Sequence, residues 1–208
     1  MFLLPRLVWL LLSVIVYDVT RTYSSVTKNC PKEHVAVGHA WYTKLLHYFT
    51  LLDVDNDGIL DRRDYVDRTV ERARIYFGAD KINVFNETLS KGWFTFWSVP
   101  EDKCRKNVDI ENAIWIHLRG LEGRELEEPS SVLWDKGVFK AADADEDEGM
   151  SVKEHKAFCQ VYNVRKGINE SFSYIDENQN GCIDQQEFIK AAEDFFYNVN
   201  NESLFFGA

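Results

Sequence analysis

The twelve residues from Asp176 to Glu187 place oxygen donors at the spacing a hard divalent cation requires. Asp176, Asn178 and Asn180 stand at positions 1, 3 and 5 of this stretch, Gly181 at 6 and Glu187 at 12. Calcium takes about six to eight oxygens, so alternate side chains must turn inward, a backbone carbonyl must join them, and a longer carboxylate must close the far side with both oxygens. Cys182 supplies the carbonyl at position 7, Asp184 at position 9 acts through a water, and Glu187 is the closing carboxylate. Gly181 permits the left-handed turn that a side chain disfavours.

Two further stretches repeat the pattern with one departure each. Asp53 to Asp64 has Asp53, Asp55, Asp57, the carbonyl of Ile59, and Asp61 in register, but ends on Asp64 instead of glutamate. One methylene less shortens the reach, which predicts weaker calcium binding or a six-coordinate site that also admits magnesium. Asp143 to Glu154 has Asp143, Asp145, Asp147, the carbonyl of Gly149, Ser151 and Glu154, with Glu148 where glycine is expected. A positive φ there costs about 1 kcal/mol or more, and neighbouring Gly149 is expected to absorb part of it. A fourth stretch, Glu101 to Asn112, keeps the frame through Val108 at position 8 but carries Lys103, Arg105 and Asn112 at ligand positions. Two cations facing the cavity repel a metal, so this loop is expected to be present and empty.

These loops need helices on both sides, and the apolar spacing supplies them. Residues 1, 4, 5 and 8 before a loop share one helix face. They are Leu52, Phe49, Tyr48 and Leu45 before the first loop, and Trp97, Phe96 and Trp93 before the empty one. Before the third they are Ala142, Phe139 and Val138 with Trp134 a turn earlier, and before the last Ile175, Phe172 and Ile168. On the exit side, Asp61 and Asp64, Ser151 and Glu154, and Asp184 and Glu187 have capping-box spacing. Loops of this kind work in pairs through a short strand at position 8, which joins Met150 to Ile183. Between the halves, residues 120–131 hold two glycines, a proline and a serine pair, the composition of a connection in which Ser130 or Ser131 caps the next helix.

With 45% hydrophobic and 14% aromatic residues, the 208-residue chain can build a sizeable core. A net charge of -10, concentrated in short loops, suits cations and argues against a nucleic-acid partner. Residues 1–17 are apolar apart from Arg6 and resemble the core of a secretory leader, which sets 1–24 as a signal peptide with cleavage between Thr20 and Ser25. No stable membrane span is expected after cleavage; an uncleaved anchor through residues 1–17 is the alternative. The triplets beginning at Asn86, Asn169 and Asn201 fit glycosylation acceptors, and no Lys-Asp-Glu-Leu-like tail is present, so a secreted or luminal glycoprotein is expected. Cys30, Cys104, Cys159 and Cys182 could form two disulfides in any of three connectivities, although Cys159 on an apolar helix face reads rather as a buried free thiol.

Four helix-loop-helix units with the second degenerate, the Asp64 ending, and the aromatic tail Ala191-Ala192-Glu193-Asp194-Phe195-Phe196 with Leu204-Phe205-Phe206-Gly207 resemble the sarcoplasmic calcium-binding protein family. That EF-hand family sits within the wider group of coelenterate photoproteins and luciferin-binding proteins. The resemblance covers residues 35–208. It implies an all-α fold of four EF-hands in two paired lobes, 35–119 and 132–208, packed into one compact unit with short loop-to-loop β pairings and a buried tail. It also implies a calcium or magnesium buffer rather than a catalyst. The photoprotein arm holds coelenterazine among aromatic residues, and Trp93, Trp97, Trp115 and Trp134 supply comparable bulk. Phe188-Ile189-Lys190-Ala191-Ala192 lacks the histidine of that arm, and Ala208 replaces its terminal proline, which argues against light emission.

The expected function is therefore binding of about three calcium ions, as a secreted or luminal buffer or calcium-stabilised binding protein. The alternatives are a sensor that exposes a hydrophobic groove and a luciferin-binding-like carrier. Two methionines are too few for the adaptable groove of promiscuous sensors. His34, His39, His47, His117 and His155 form no nucleophile or zinc pattern, so no enzyme is expected. His34 and His39 read as solvated residues ahead of the first helix. The protein partner is left open, and a monomer is allowed.

Overall fold

Each of the loops starting at Asp53, Asp143 and Asp176 is entered by a helix that buries the residues one and four positions before it. The computed structural model describes residues 38–97, 107–122, 130–200 and 202–207, with only the backbone path for 95–97, 119–122 and 130–132. The leader, Cys30, His34, Lys103, Arg105, Asn201, connection residues 123–129 and the side chains of Phe96 and Trp97 lie outside the described residues. Helix α1 (His39–Leu52) buries Trp41, Leu45, Tyr48, Phe49 and Leu52. It ends where the Asp53 N–H donates to Phe49 O at 2.9 Å. The Asp143 N–H to Phe139 O and Asp176 N–H to Phe172 O bonds repeat that ending at 2.9 Å. Position 1 of each loop is thus the C-cap of its entering helix.

Strand β1 (Ile59–Asp61) pairs antiparallel with β2 (Asn107–Asp109), placing Leu60 opposite Val108. In the same way β3 (Gly149–Ser151) pairs with β4 (Cys182–Asp184), placing Met150 opposite Ile183. Leu60, Met150 and Ile183 are fully buried, so each pairing is both a ladder and a core contact. The remaining helices are α2 (Arg68–Tyr76), α3 (Ile82–Trp97), α4 (Ile110–Glu122), α5 (Ser130–Ala142), α6 (Val152–Val161), α7 (Ile168–Ile175) and α8 (Gln185–Tyr197).

Four expectations need correction. His39 is the first residue of α1 rather than ahead of it, and Ile168 is only partly buried. Residues 120–122 close α4, while Ser130 and Ser131 lie inside the first turn of α5, so the connection is shorter than 120–131. Gly149 has no left-handed φ; Glu148 takes the strain alone at φ 70°, in the place of Gly58 at 76° and Gly181 at 84°. Gly149 is needed for another reason: a Cβ there would run into Cys182 Sγ across the ladder. Cys159 is buried, and both it and Cys182 are free thiols.

The first exiting segment contains a feature with no sequence signal. Arg63–Asp67 form a π-helical turn before α2. Counted from position 1 of the loop, the buried residues after loop three include Phe158 and Cys159 at positions 16 and 17, and after loop four Ala191 and Ala192 at the same positions. After the first loop they are Thr69 and Val70 at positions 17 and 18. The π turn acts as a one-residue insertion, shifts the apolar stripe by one, and frees position 16, which is Arg68, from the core face.

Within residues 37–208, helices of one pair pack on those of the other: α3 on α5, α2 on α6, and α1 on α8. Polar links cross the same seams. Arg72 Nε donates to Val161 O at 2.5 Å, Asn163 Nδ2 to Leu51 O at 2.8 Å, and Trp41 Nε1 to Phe196 O at 3.0 Å. Lys44 Nζ donates to Asp194 O and Asn198 O at the end of α8. Lys81 Nζ reaches Glu146 of the third loop at 2.6 Å. The tail completes the core. Phe206 lies 4.7 Å from Tyr48 and 5.1 Å from Phe195, and Phe205 lies 5.1 Å from Phe188, centroid to centroid. Ser171 Oγ donates to Phe205 O and His47 Nε2 contacts Phe206 O, fixing the backbone.

Candidate metal centre

The three candidate loops share one internal frame. Position 1 accepts from the N–H of position 6: Gly58 to Asp53 at 2.9 Å, Glu148 to Asp143 at 3.2 Å, and Gly181 to Asp176 at 3.0 Å. Position 5 accepts from the N–H of position 7: Ile59 to Asp57, Gly149 to Asp147, and Cys182 to Asn180, at 2.8 to 2.9 Å. Position 4 is left-handed in all three, at Asn56, Glu146 and Gln179, a recurrence the sequence reading missed. These turns bend each loop so that oxygens converge. Asp53, Asp55 and Asp57 each offer a carboxylate oxygen within 4.8 Å of the others, and so do Asp143, Asp145 and Asp147. Clustered anions at this range repel, and a divalent cation is the group that such a donor set fits. The buried Oδ1 atoms of Asp64 and Asp143 have no hydrogen-bond partner, which is the same mismatch at atomic scale.

Position 12 divides the loops. Glu154 accepts from Ala144 N–H through Oε1 and from Ser151 N–H through Oε2, both at 2.8 Å. Glu187 accepts from Asn178 and from Asp184 N–H. Each glutamate therefore spans the loop from its end to its start while completing a capping box with Ser151 or Asp184. The Asp64 N–H donates to Asp61 Oδ1 at 3.0 Å and its carboxylate accepts from the Asp61 N–H at 3.4 Å, without reaching the start of the loop. The electrostatics follow the geometry. Burial pushes Asp64 up to about 6, helped by the Asp61 and Asp55 carboxylates and opposed by the Asp61 hydrogen bond and Arg68. Burial also raises Glu154, but the hydrogen bonds from Ser151, Ala144 and Asp145 outweigh it and hold the carboxyl below its usual value.

Of the Glu101–Asn112 loop, the described part is β2 and the start of α4, where the Asn112 N–H and Nδ2 donate to the two Asp109 oxygens, so that Asp109 caps the helix. Two of the described histidines, His117 and His155, serve packing. His117 lies against Phe49 and Phe196, and fully buried His155 faces Ser171 Oγ at 3.1 Å. Trp134 lies in the core against Tyr162 and Phe196, and Trp93 against Tyr65. Among them sits Asp135, a buried carboxyl that sequence spacing did not single out. Its Oδ1 and the Tyr162 hydroxyl have no hydrogen-bond partner, and burial, then Glu193, pushes the Asp135 carboxyl well up.

The described residues form a mostly helical fold with two short antiparallel strand pairs, the fold seen in EF-hand photoproteins. No family model matches the chain. The luciferin-binding protein of Renilla reniformis is 26% identical over 160 residues, 74% of this chain and 84% of that protein. The coelenterazine-binding protein of Renilla muelleri, in its calcium-loaded apo form, superposes with TM-score 0.59 at 22% identity, covering 82% of this chain and 99% of that one. A sarcoplasmic calcium-binding protein from amphioxus superposes with TM-score 0.62 at 11% identity, over 83% and 99% of the two chains. The resemblance read from the loops thus holds at the level of the fold. Among the described residues, no helix is long and apolar enough to cross a membrane.

Proposed function

We propose that the chain binds calcium through three loops, Asp53–Asp64, Asp143–Glu154 and Asp176–Glu187, as a secreted or luminal buffer or calcium-stabilised binding protein whose residues 1–24 are a cleaved leader. The supporting observation is the shared loop frame, which gathers the aspartate oxygens of two loops within 4.8 Å and holds the third in the same hydrogen-bond pattern. Bound calcium supplies charge neutralisation. The chain supplies the side-chain oxygens, the carbonyls of Ile59, Gly149 and Cys182, and closure by Glu154 and Glu187, with Asp64 as the short third member. Binding to the native form alone stabilises it by mass action. Near-millimolar extracellular calcium would keep such sites filled, so the ions act as staples there and as a buffer only where calcium fluctuates.

Calorimetric calcium titration of the glycosylated protein from a secreting host, with magnesium present, tests this. Three sites are expected; none would overturn the reading. Recovery only as an unglycosylated cytosolic protein would remove the secretion claim, for which Asn86 and Asn169 are exposed acceptors.

A carrier of a coelenterazine-like aromatic ligand is the second reading. It is favoured by Asp135 Oδ1 and the Tyr162 hydroxyl, unpaired inside an aromatic core, together with the luciferin-binding relative. Coelenterazine titration followed by tryptophan fluorescence tests it, and unchanged emission at saturating ligand would exclude it.

A further inference from the structure

Arg68 reaches into the first loop in a way that neither other candidate loop repeats. Its Nη2 lies 3.1 Å from Asp55 Oδ2, and its Nε lies 3.8 Å from Asp64 Oδ1. These are the carboxylates at positions 3 and 12, the two sides of the loop. In the other loops, glutamate makes that crossing by itself, to Ala144 or to Asn178. Asp64 is too short to do so, and the guanidinium spans the distance instead. The residues at the same count from loop position 1 are Phe158 and Ala191, both buried among apolar groups. Arg68 escapes that fate because the π turn at Arg63–Asp67 moves the apolar stripe on by one residue.

We propose that Arg68 is a resident counter-cation of the Asp53–Asp64 loop, holding it in shape without metal and lowering its divalent affinity relative to the other two loops. The proposal rests on reading that loop as a metal site. Two effects act in the same direction. The guanidinium occupies Asp55 Oδ2 and stands beside the Asp64 oxygen that a cation needs, so its grip on these oxygens must loosen on binding. A fixed positive charge within several ångströms of a divalent ion also repels it, by an amount on the order of tenfold in affinity at near-surface screening. The same charge offsets repulsion among Asp53, Asp55, Asp57, Asp61 and Asp64 when no metal is bound. The loop therefore keeps its fold at low calcium and responds at higher concentrations than its neighbours.

The test uses the full chain and calcium alone, with Arg68→Gln compared to the parent and to Arg62→Gln, whose ion pair is with Asp67 outside the ligand set. Arg68→Gln is expected to tighten one class of site about tenfold, leave the others unchanged, and lower the thermal midpoint of the calcium-free protein. Arg62→Gln should do neither. Unchanged or weakened affinity in Arg68→Gln would overturn the proposal, and weakening would make Arg68 a positioning residue for the bound state. Asp57→Asn separates this failure from failure of the site itself. If Asp57→Asn removes one site while Arg68→Gln changes nothing, only the counter-cation falls. If Asp57→Asn leaves the stoichiometry intact, the loop is no site and both readings fall.

Discussion

Asp64 concentrates the chemistry of the first loop in one missing methylene. Its carboxyl is pushed up to about 6 because it is buried, with the Asp61 and Asp55 carboxylates adding to the effect. A group raised in the folded state favours that state most below its ordinary value near 3.8, and the contribution is lost as pH rises through about 6. Calcium needs the ionised form, so affinity at this loop should fall as pH drops below about 6, with a proton released on binding. Calorimetry at pH 5.5 in two buffers of different ionisation enthalpy would show this as unequal apparent heats. Asp64→Glu should restore the reach and tighten the site about tenfold, read as a shift of the weakest class in the titration. His155 has the opposite sign. Burial holds it, like His117, at about 4, so the contribution of each to native stability is full above pH 6.5 and is lost by up to about 1.4 kcal/mol per pH unit below it. Urea midpoints at saturating calcium between pH 7 and 5 would report the slope. The twelve-residue loop frame was legible residue by residue because the pattern is local. Asp135 was not, since nothing in its neighbours Trp134 and Lys136 tells that a carboxyl is turned into the core.

The strand pairs bind loops into couples, and their tolerance is narrow on the β3–β4 side. Gly149→Ala forces a methyl onto Cys182 Sγ, so the ladder must part or the thiol must move. A cost of about 1–3 kcal/mol in urea unfolding is expected, with loss of cooperativity between the loops of Asp143 and Asp176. Gly149 was read as a relief for the strain at Glu148, and the structure assigns it to clearance instead. Helix faces and position-8 pairings were visible in the sequence, because a period of 3.6 and a twelve-residue register both repeat. The π turn was invisible. Arg63–Asp67 carries no glycine or proline to announce it, and its trace is only the displaced burial of Thr69 and Val70.

The helices within residues 38–207 form a unit closed by seams between the pairs and by the tail. Phe206→Ala removes a ring that touches Tyr48, Phe158, Tyr162 and Phe195, and should cost about 3–5 kcal/mol, measured as a lowered urea midpoint. The aromatic run at the end of the chain foretold burial. The seam contacts of Arg72, Asn163 and Lys81 could not be foretold, because each joins residues more than sixty positions apart. Two of these seams are held by amines. Lys44 and Lys81 are buried while the other described lysines are exposed. The protein thus carries its own integrity markers for covalent labelling. An acylating reagent should modify the exposed amines quickly, Lys44 only when the ends of α1 and α8 separate, and Lys81 only when the third loop lets go.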